Sequence, residues 1–414
     1  MKNRETFRHK LLAFALAVLV VAAFGGVTYE SPSANVKLPV KELRLFSDIY
    51  ARVKSSYVDE VADEKLIEGA INGMLGELDP YSVYVKEQSY KDMQIGTTGK
   101  FGGLGIEVDM EGDFVKVIAP IDDTPAQRAG IAAGDLIGQI DDKVVKGMTL
   151  SEAVDLMRGQ IGTEVTLTVL REGADEPLTI KLTRAEIKIK SVRATLLEPD
   201  FGYIRVSRFQ ERTSQDMLAL LGGLVSENKR PLRGLILDLR SNPGGVLAEA
   251  VRVADIFLGD QSLIVYTKGR HRNAAVEYKS STGDRSGASS LVVLIDKGSA
   301  SGSEIVAGAL QDLKRAVVMG TRSFGKASVQ IIQQLDEGSA LKLTTARYYT
   351  PSGRSIHEVG IAPDIELEPI ALTEEEKEAR SKISRRANLK AWLAYDNQVG
   401  AALDKLKLVA ANAQ

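Results

Sequence analysis

Two strand–turn–helix units in the second half of the chain predict an α/β fold. The first is a nearly continuous apolar run from Leu232 to Leu239, closed by Asp238-Leu239-Arg240-Ser241-Asn242-Pro243-Gly244-Gly245. A helix from Val246 to Leu258 follows, with Val246, Ala250, Val253 and Ile256 on one face. The second has a buried-type strand from Ser290 to Ile295, a small-residue turn from Lys297 to Gly302 and a helix from Ser303 to Leu313. Ile305, Val306, Ala309, Leu310 and Leu313 point inward from that helix. Upstream, from Gly99 to Lys188, glycines and short alternating apolar runs mark a β-rich unit inserted ahead of the α/β layer. In such a layer a site belongs where strands end and helices begin.

Taken from the N-terminus, Lys2, Arg4, Arg8 and Lys10 precede a charge-free run from Leu11 to Thr28. Residues 1–29 therefore read as a signal peptide or a membrane anchor, and Ala22, Ala23, Gly25 and Gly26 suit a signal peptidase as well as a helix. Either way the positive flank places the body outside the cytoplasm, exported and periplasmic or extracytoplasmic, with membrane contact through this segment if it stays as an inner-membrane anchor. Residues 30–39, with Ser31, Pro32, Ser33 and Pro39, read as a linker. In residues 40–96 Leu43, Phe46, Ile49, Val53 and Tyr57 recur at helical spacing, and Leu66, Ala70 and Met74 follow. So small a helical pair buries little by itself, and packing on the body or a homodimer through these helices would cover it.

Within residues 97–188, Phe101-Gly102-Gly103-Leu104-Gly105-Ile106-Glu107-Val108 leads from a Gly-rich turn into a strand. Ala129-Gly130-Ile131 runs on to Gly134-Asp135-Leu136-Ile137, and a helix is expected around Ala153 to Met157. These pieces, in this order, resemble a PDZ domain. The resemblance implies that Leu104, Gly105 and Ile106 bind a peptide's C-terminal carboxylate. Glycines let successive backbone N–H groups converge there while the peptide adds as a strand. Residues 189–370 form the α/β core. In the C-terminal helical region, 371–414, Thr373 to Arg386 is a charge run expected as a solvated helix, and Trp392 to Leu408 a final amphipathic one.

Composition narrows the chemistry. The chain has 414 residues, 44% hydrophobic and 26% charged, enough for two or three domains with cores. Its formal charge of -2 argues against a nucleic-acid partner. It has no cysteine, and its three histidines are His9, His271 and His357. Thiol chemistry is excluded, and a histidine-based triad has few candidates. What remains is serine at the mouth of the Ser303 to Leu313 helix, where unpaired amides and the helix dipole favour an oxyanion. Ser299, Ser301 and Ser303 all lie there, and each also suits a plain helix cap.

A serine needs a base. Gly320-Thr321-Arg322-Ser323-Phe324-Gly325-Lys326-Ala327-Ser328-Val329-Gln330 offers Lys326, which serves if burial depresses its proton affinity. Phe324 and Val329 supply apolar flanks, and Gln330 is in reach to fix the amine. The same segment fits the phosphate-loop pattern G-x-x-x-x-G-K. That reading fails because Ala327 replaces the magnesium-holding Ser/Thr, and Ser328 to Ile332 alternates as a strand where the loop needs a helix.

Several segments together resemble the carboxyl-terminal processing, or tail-specific, proteases. They are Leu78-Asp79-Pro80-Tyr81-Ser82, the Asp238 to Gly245 turn, Gly298-Ser299-Ala300-Ser301-Gly302-Ser303-Glu304 and Phe324 to Gln330. Tyr348-Tyr349-Thr350-Pro351-Ser352-Gly353-Arg354-Ser355-Ile356 and Gly360-Ile361-Ala362-Pro363-Asp364 complete the set. The resemblance implies a crotonase-like α/β core with an inserted PDZ domain. It makes Ser301 the nucleophile, Lys326 the general base and Gln330 the group that orients the lysine, with Glu304 in a supporting role. Gly302 and either Gly244 or Gly245 would donate the oxyanion hydrogen bonds. Gly302 stands where the family usually has alanine, and Ala327 where it often has glycine; both swaps keep a small residue. No cofactor or metal is implied. The implied activity is a serine endopeptidase acting near protein or peptide C-termini through an acyl-enzyme, with an activating adaptor as a further partner to test. The rival expectation is an inactive exported PDZ scaffold or chaperone-like adaptor.

Overall fold

The computed structural model describes residues 38–412 apart from 122, 282, 288 and 384–387. The N-terminal charged and apolar run, on which the signal or anchor reading rests, lies outside the described residues. Among the described residues no helix is long and apolar enough to cross a membrane. The described residues divide into two compact units, with the boundary between Ile71 and Asn72.

In the first unit helix α1 (Val40–Ser56) is amphipathic yet buries none of its residues, and Leu43, Phe46 and Ile49 stay exposed. Its Lys54 reaches Asp63 at 2.6 Å, at the start of α2 (Asp63–Gly76). The second unit takes over within α2 and continues with β1 (Val83–Val85) and α3 (Glu87–Thr98), a largely polar helix absent from the sequence reading.

The insert hangs on a two-stranded stem, β2 (Lys100–Gly103) against the later β9 (Ala185–Lys188). Between them β3 (Ile106–Glu111), β4 (Phe114–Pro120), helix α4 (Pro125–Arg128), β5 (Leu136–Ile140) and β6 (Lys143–Val144) follow in turn. Helix α5 (Leu150–Met157), β7 (Glu164–Leu170) and β8 (Leu178–Thr183) complete it. The sheet order is β3-β4-β5-β7-β8, with β6 on β5. Alternate residues Val115, Val117, Val165, Leu167 and Val169 are fully buried, and Thr149 with Glu152 caps α5 in a reciprocal box.

The core comprises β10 (Val192–Glu198), β11 (Phe201–Val206), α6 (Thr213–Asn228), β12 (Gly234–Asp238) and α7 (Leu247–Asp255). It continues through β13 (Leu263–Gly269), β14 (Glu277–Lys279), β15 (Ser290–Ile295), α8 (Gly302–Asp312), β16 (Val317–Gly320), β17 (Ser328–Gln334), β18 (Ala340–Tyr349) and β19 (Ile365–Glu366). One sheet runs β10-β11-β12-β15-β16-β19, parallel after the first pair. Both its faces are covered, as a parallel sheet requires. Leu235, Leu237, Val293 and Ile295 pack with α6, α7 and α8. Tyr203, Ile236, Val292 and Leu294 meet the C-terminal helices α10 (Leu389–Leu393) and α11 (Asn397–Asn412), reached after α9 (Glu374–Ser381). A second, antiparallel sheet joins β1, β18, β13 and β14, with β17 on β18.

Two C-terminal expectations change. The helix expected from Trp392 to Leu408 is interrupted, because Asp396 Oδ1 accepts from the N–H groups of Gln398 and Val399 and starts a new helix there. Among the described residues of the charge run the helix spans Glu374–Ser381, opened by a Thr373/Glu376 capping box.

Candidate active site

The site forms where β12 and β15 end. At the tip of β12 the fully buried Asp238 accepts from Tyr203 Oη (2.6 Å), Arg205 Nη1 (3.1 Å) and Arg240 Nη2 (2.7 Å). Burial opposes its charge, but the two guanidinium groups and the tyrosine outweigh it and hold Asp238 below the usual carboxylate range. Arg240 then reaches across to Asp396 Oδ2 (2.9 Å) and Gln398 Oε1 (2.7 Å) at the head of α11.

This anchored turn forms one wall of the serine site. Asn242 Oδ1 takes the N–H of Gly244 (2.9 Å), and the Asn242 carbonyl takes Ala300 N–H and Ser303 Oγ, each at 2.9 Å. Ser299 Oγ donates to Leu239 O (2.9 Å). Ser299 and Ser303 are thus fully buried and tied into the turn, whereas Ser301 is half-exposed at the mouth of α8. Ser301 has φ +53°, a strained setting for a residue with a side chain. A Cβ on Gly244 would lie 2.8 Å from Ser301 Cβ and 3.0 Å from Gly302 N, so only glycine lets the turn approach this closely. Among the described residues the N–H groups of Gly302 and Gly245 find no protein acceptor, while that of Gly244 is spent on Asn242.

Two buried side chains bring the Lys326 loop to Ser301. Glu304 Oε2 accepts from both Ser301 N–H (2.8 Å) and Lys326 N–H (2.9 Å), and its Oε1 accepts from Gly325 N–H (2.7 Å) and Ser323 Oγ (2.5 Å). Tyr348 Oη lies 3.1 Å from Ser301 O and donates to Lys326 O in a shorter contact. The two amides hang from one carboxylate and the two carbonyls face one phenol. Burial raises the proton affinity of Glu304 above the ordinary glutamate value against the pull of its four donors. Burial likewise lowers the Lys326 amine, with Lys342 pushing the same way and Asp79 and Glu304 opposing.

The side chains are not yet engaged. No hydrogen bond joins Ser301 to the Lys326 amine, and Gln330 Nε2 donates to Ser328 Oγ (2.6 Å) and Thr344 Oγ1 (3.3 Å) rather than facing the lysine. Phe324, expected as an apolar flank, is 55% exposed. The ring over Lys326 is that of Tyr81, its centroid 4.5 Å from Nζ. Tyr81 and Tyr348 escaped the sequence reading as site residues, although both stand in segments quoted for the family resemblance. A strand, β17, follows Lys326, so no helix N-terminus is there for a phosphate.

In the insert, Gly105 takes φ +79°, and the N–H groups of Leu104 and Gly105 have no protein acceptor among the described residues. Gly103, Leu104, Gly105, Ile106, Val154 and Met157 line a cavity of about 200 Å³ between β3 and α5. A larger one, about 850 Å³, is lined by Met93 and Gln94 of α3, Phe101 and Arg158 of the insert, and Ile332 of β17.

Comparison with known proteins decides the family. The model for Peptidase family S41 matches residues 200–367, that for the PDZ domain residues 102–182, and that for the Activating protease CtpB N-terminal domain residues 25–89. A Carboxy-terminal-processing protease of Bartonella bacilliformis is 49% identical over 360 residues, 87% of this chain and 82% of that protein. The chain belongs to peptidase family S41, among the carboxy-terminal-processing proteases. This S41 peptidase is also 35% identical over 353 residues to a Staphylococcus aureus protein named "Probable CtpA-like serine protease", covering 85% of the chain and 70% of the relative. Among solved structures, the Photosystem II D1 C-terminal processing protease aligns at 31% identity and TM-score 0.45, over 79% of this chain and 93% of that one. As an S41 member the chain is a serine peptidase with a PDZ domain inserted ahead of its α/β protease core.

Proposed function

We propose that this serine endopeptidase processes protein C-termini with Ser301 as nucleophile, neutral Lys326 as general base and Gln330 as the group that orients the amine. Lys326 Nζ takes the Ser301 Oγ proton as Oγ bonds to a peptide carbonyl carbon. The oxyanion is met by the N–H groups of Gly302 and Gly245, a choice supported by the prior engagement of Gly244. Collapse breaks the C–N bond, and the Lys326 ammonium returns its proton to the leaving amine. Water, deprotonated by the same amine, then attacks the ester; the C–Oγ bond breaks, the Lys326 ammonium returns that proton to Ser301 Oγ, and the new acid ionises to a carboxylate. The observation that carries the reading is the shared suspension of the Ser301 and Lys326 peptides from Glu304 and Tyr348 beside an amine of lowered proton affinity.

The amides of Leu104 and Gly105, which have no protein acceptor among the described residues, would hold the tail's carboxylate together with Ile106 at the start of β3, and the cavity between α3 and the insert supports a path for the tail towards the core. Domain limits of 97–188 for the PDZ, 189–370 for the core and 371–414 for the C-terminal region suit this division of labour. Export with residues 1–29 as signal or anchor, residues 30–39 as a linker and residues 40–96 as an N-terminal helical part extends the proposal. Membrane contact through residues 1–29, an activating adaptor and a homodimer through the exposed apolar face of α1 extend it further.

The decisive assay uses a peptide with an apolar free C-terminus, cut by wild type beside Ser301→Ala and Lys326→Ala. Each variant is expected to lose at least about a thousandfold in kcat. Equal turnover in all three overturns the assignment.

A further inference from the structure

The segment Leu78-Asp79-Pro80-Tyr81-Ser82 lies ahead of β1 and brings an aromatic ring to Lys326. Asp79 shapes it into a turn: Oδ1 accepts from the N–H groups of Tyr81 (2.7 Å) and Ser82 (2.8 Å), and Oδ2 from Ser82 Oγ (3.0 Å). Burial works against that carboxylate, but these donors outweigh it and keep Asp79 below the usual range, hence charged at neutral pH. The turn is fastened to the hairpin that carries the base. Ser82 Oγ accepts the N–H of Thr344 (3.2 Å), and β1 pairs with β18 at Val83 and Lys342. Thr344 Oγ1 in turn receives Gln330.

The outcome of this stitching is one aromatic face aimed at one amine. The centroid of the half-buried Tyr81 ring lies 4.5 Å from Lys326 Nζ, inside the range over which a ring face attracts an ammonium. We propose that Tyr81 is a positioning residue whose ring is the resting seat of the Lys326 ammonium; once that ammonium has lost a proton to solvent, the neutral amine leaves the ring to take the Ser301 proton. The proposal rests on the reading of Lys326 as general base.

The charges facing this amine come from three elements. Asp79 in the turn and Glu304 on α8 favour the ammonium, while Lys342 on β18 and burial disfavour it. Burial, Glu304, Glu358 and Asp79 all raise the proton affinity of the Tyr81 hydroxyl. Tyr81 therefore stays a neutral phenol and acts through the face of its ring rather than through a phenolate charge. A ring that stabilises the charged form raises the amine's proton affinity, so removing the ring lowers it.

The test reads Lys326 directly. Its amine is titrated by NMR in Ser301→Ala protein, with the signal identified by its loss on Lys326→Ala, and the pH dependence of kcat/KM is measured alongside with Ser301 present. In Tyr81→Leu the Lys326 titration, and the acid limb of kcat/KM, are expected to move to lower pH by about half to one unit. Tyr81→Phe, which keeps the ring face, is expected to titrate as wild type. If Tyr81→Leu does not fold, fluorinated phenylalanines at position 81 drain the ring face at nearly constant size, and a stepwise fall of the Lys326 titration with fluorination supports the seat. Identical titration in every chain overturns it, leaving Tyr81 a plain wall. A shifted titration combined with full turnover by Lys326→Ala keeps the contact and removes the base assignment instead.

Discussion

Lys326 carries an energetic signature that can be checked without substrate. Its folded-state proton affinity is depressed, chiefly by burial, so below that depressed value the ammonium costs the fold a constant amount. The cost is relieved as pH rises towards 10.5, the ordinary lysine value, because the unfolded chain there binds the extra proton. Lys326→Met should therefore raise Tm at neutral pH, with the gain shrinking as the pH approaches 10.5; a gain independent of pH would contradict the burial account. Glu304 makes a second prediction. Replacing it with Gln turns one of its two oxygens into an amide whose donors face two of the four N–H and O–H groups pointing there, and a loss of about 2–3 kcal/mol in urea unfolding is expected, with kcat falling further than KM changes. At Gly245, φ +143° and a virtual Cβ 2.1 Å from Phe209 O leave no space for a side chain. Gly245→Ala should cut kcat about a hundredfold with little effect on KM, as for a displaced oxyanion donor.

At the scale of elements, the strand–turn–helix units around Asp238 and Ser301 were legible because each is local: apolar periodicity and glycine turns mark β12, α7, β15 and α8 within a residue or three of their bounds. Helix α3 was not legible, since Glu87–Thr98 is polar and carries no clear apolar stripe. The clamp that Glu304 and Tyr348 place on the Ser301 and Lys326 peptides was illegible for another reason. Tyr348 stands 47 residues from Ser301 in sequence and meets it only because β18 crosses the mouth of α8, a long-range pairing that no local pattern encodes. Gln330 illustrates the same limit: its spacing from Lys326 suggested a direct bond, yet the strand directs it to Ser328 and Thr344. The break between α10 and α11 follows from Asp396, which both starts α11 and receives Arg240. Asp396→Ala should therefore loosen the Asp238–Gly245 turn from the far side of the sheet and lower unfolding free energy by about 3 kcal/mol, as when one partner leaves a buried ion pair.

For the molecule as a whole, substrate capture and bond cleavage sit on separate modules. The insert connects through the β2–β9 stem and touches α3 through Arg158–Asp92 (2.6 Å) and Gln88–Asp155 (3.1 Å). Deleting residues 99–188 should abolish preference for a free C-terminus; unchanged rate and selectivity on a tailed substrate would show the PDZ to be dispensable. If the proposed homodimer forms through α1, changing Leu43, Phe46 and Ile49 together to Ser should convert it to monomer in sedimentation, and a wild type that sediments as monomer removes the proposal. The clamp sets a limit on how such a machine can be switched. With both peptides of the Ser301–Lys326 pair pinned to Glu304 and Tyr348, moving a module cannot pull the two backbones apart without breaking buried hydrogen bonds. Switching through side-chain torsions, those of Lys326 and Gln330 foremost, would leave these backbone hydrogen bonds intact. Idle and working enzyme would share one superimposable scaffold, and activation would be a shift in rotamer populations rather than a refolding of the catalytic centre.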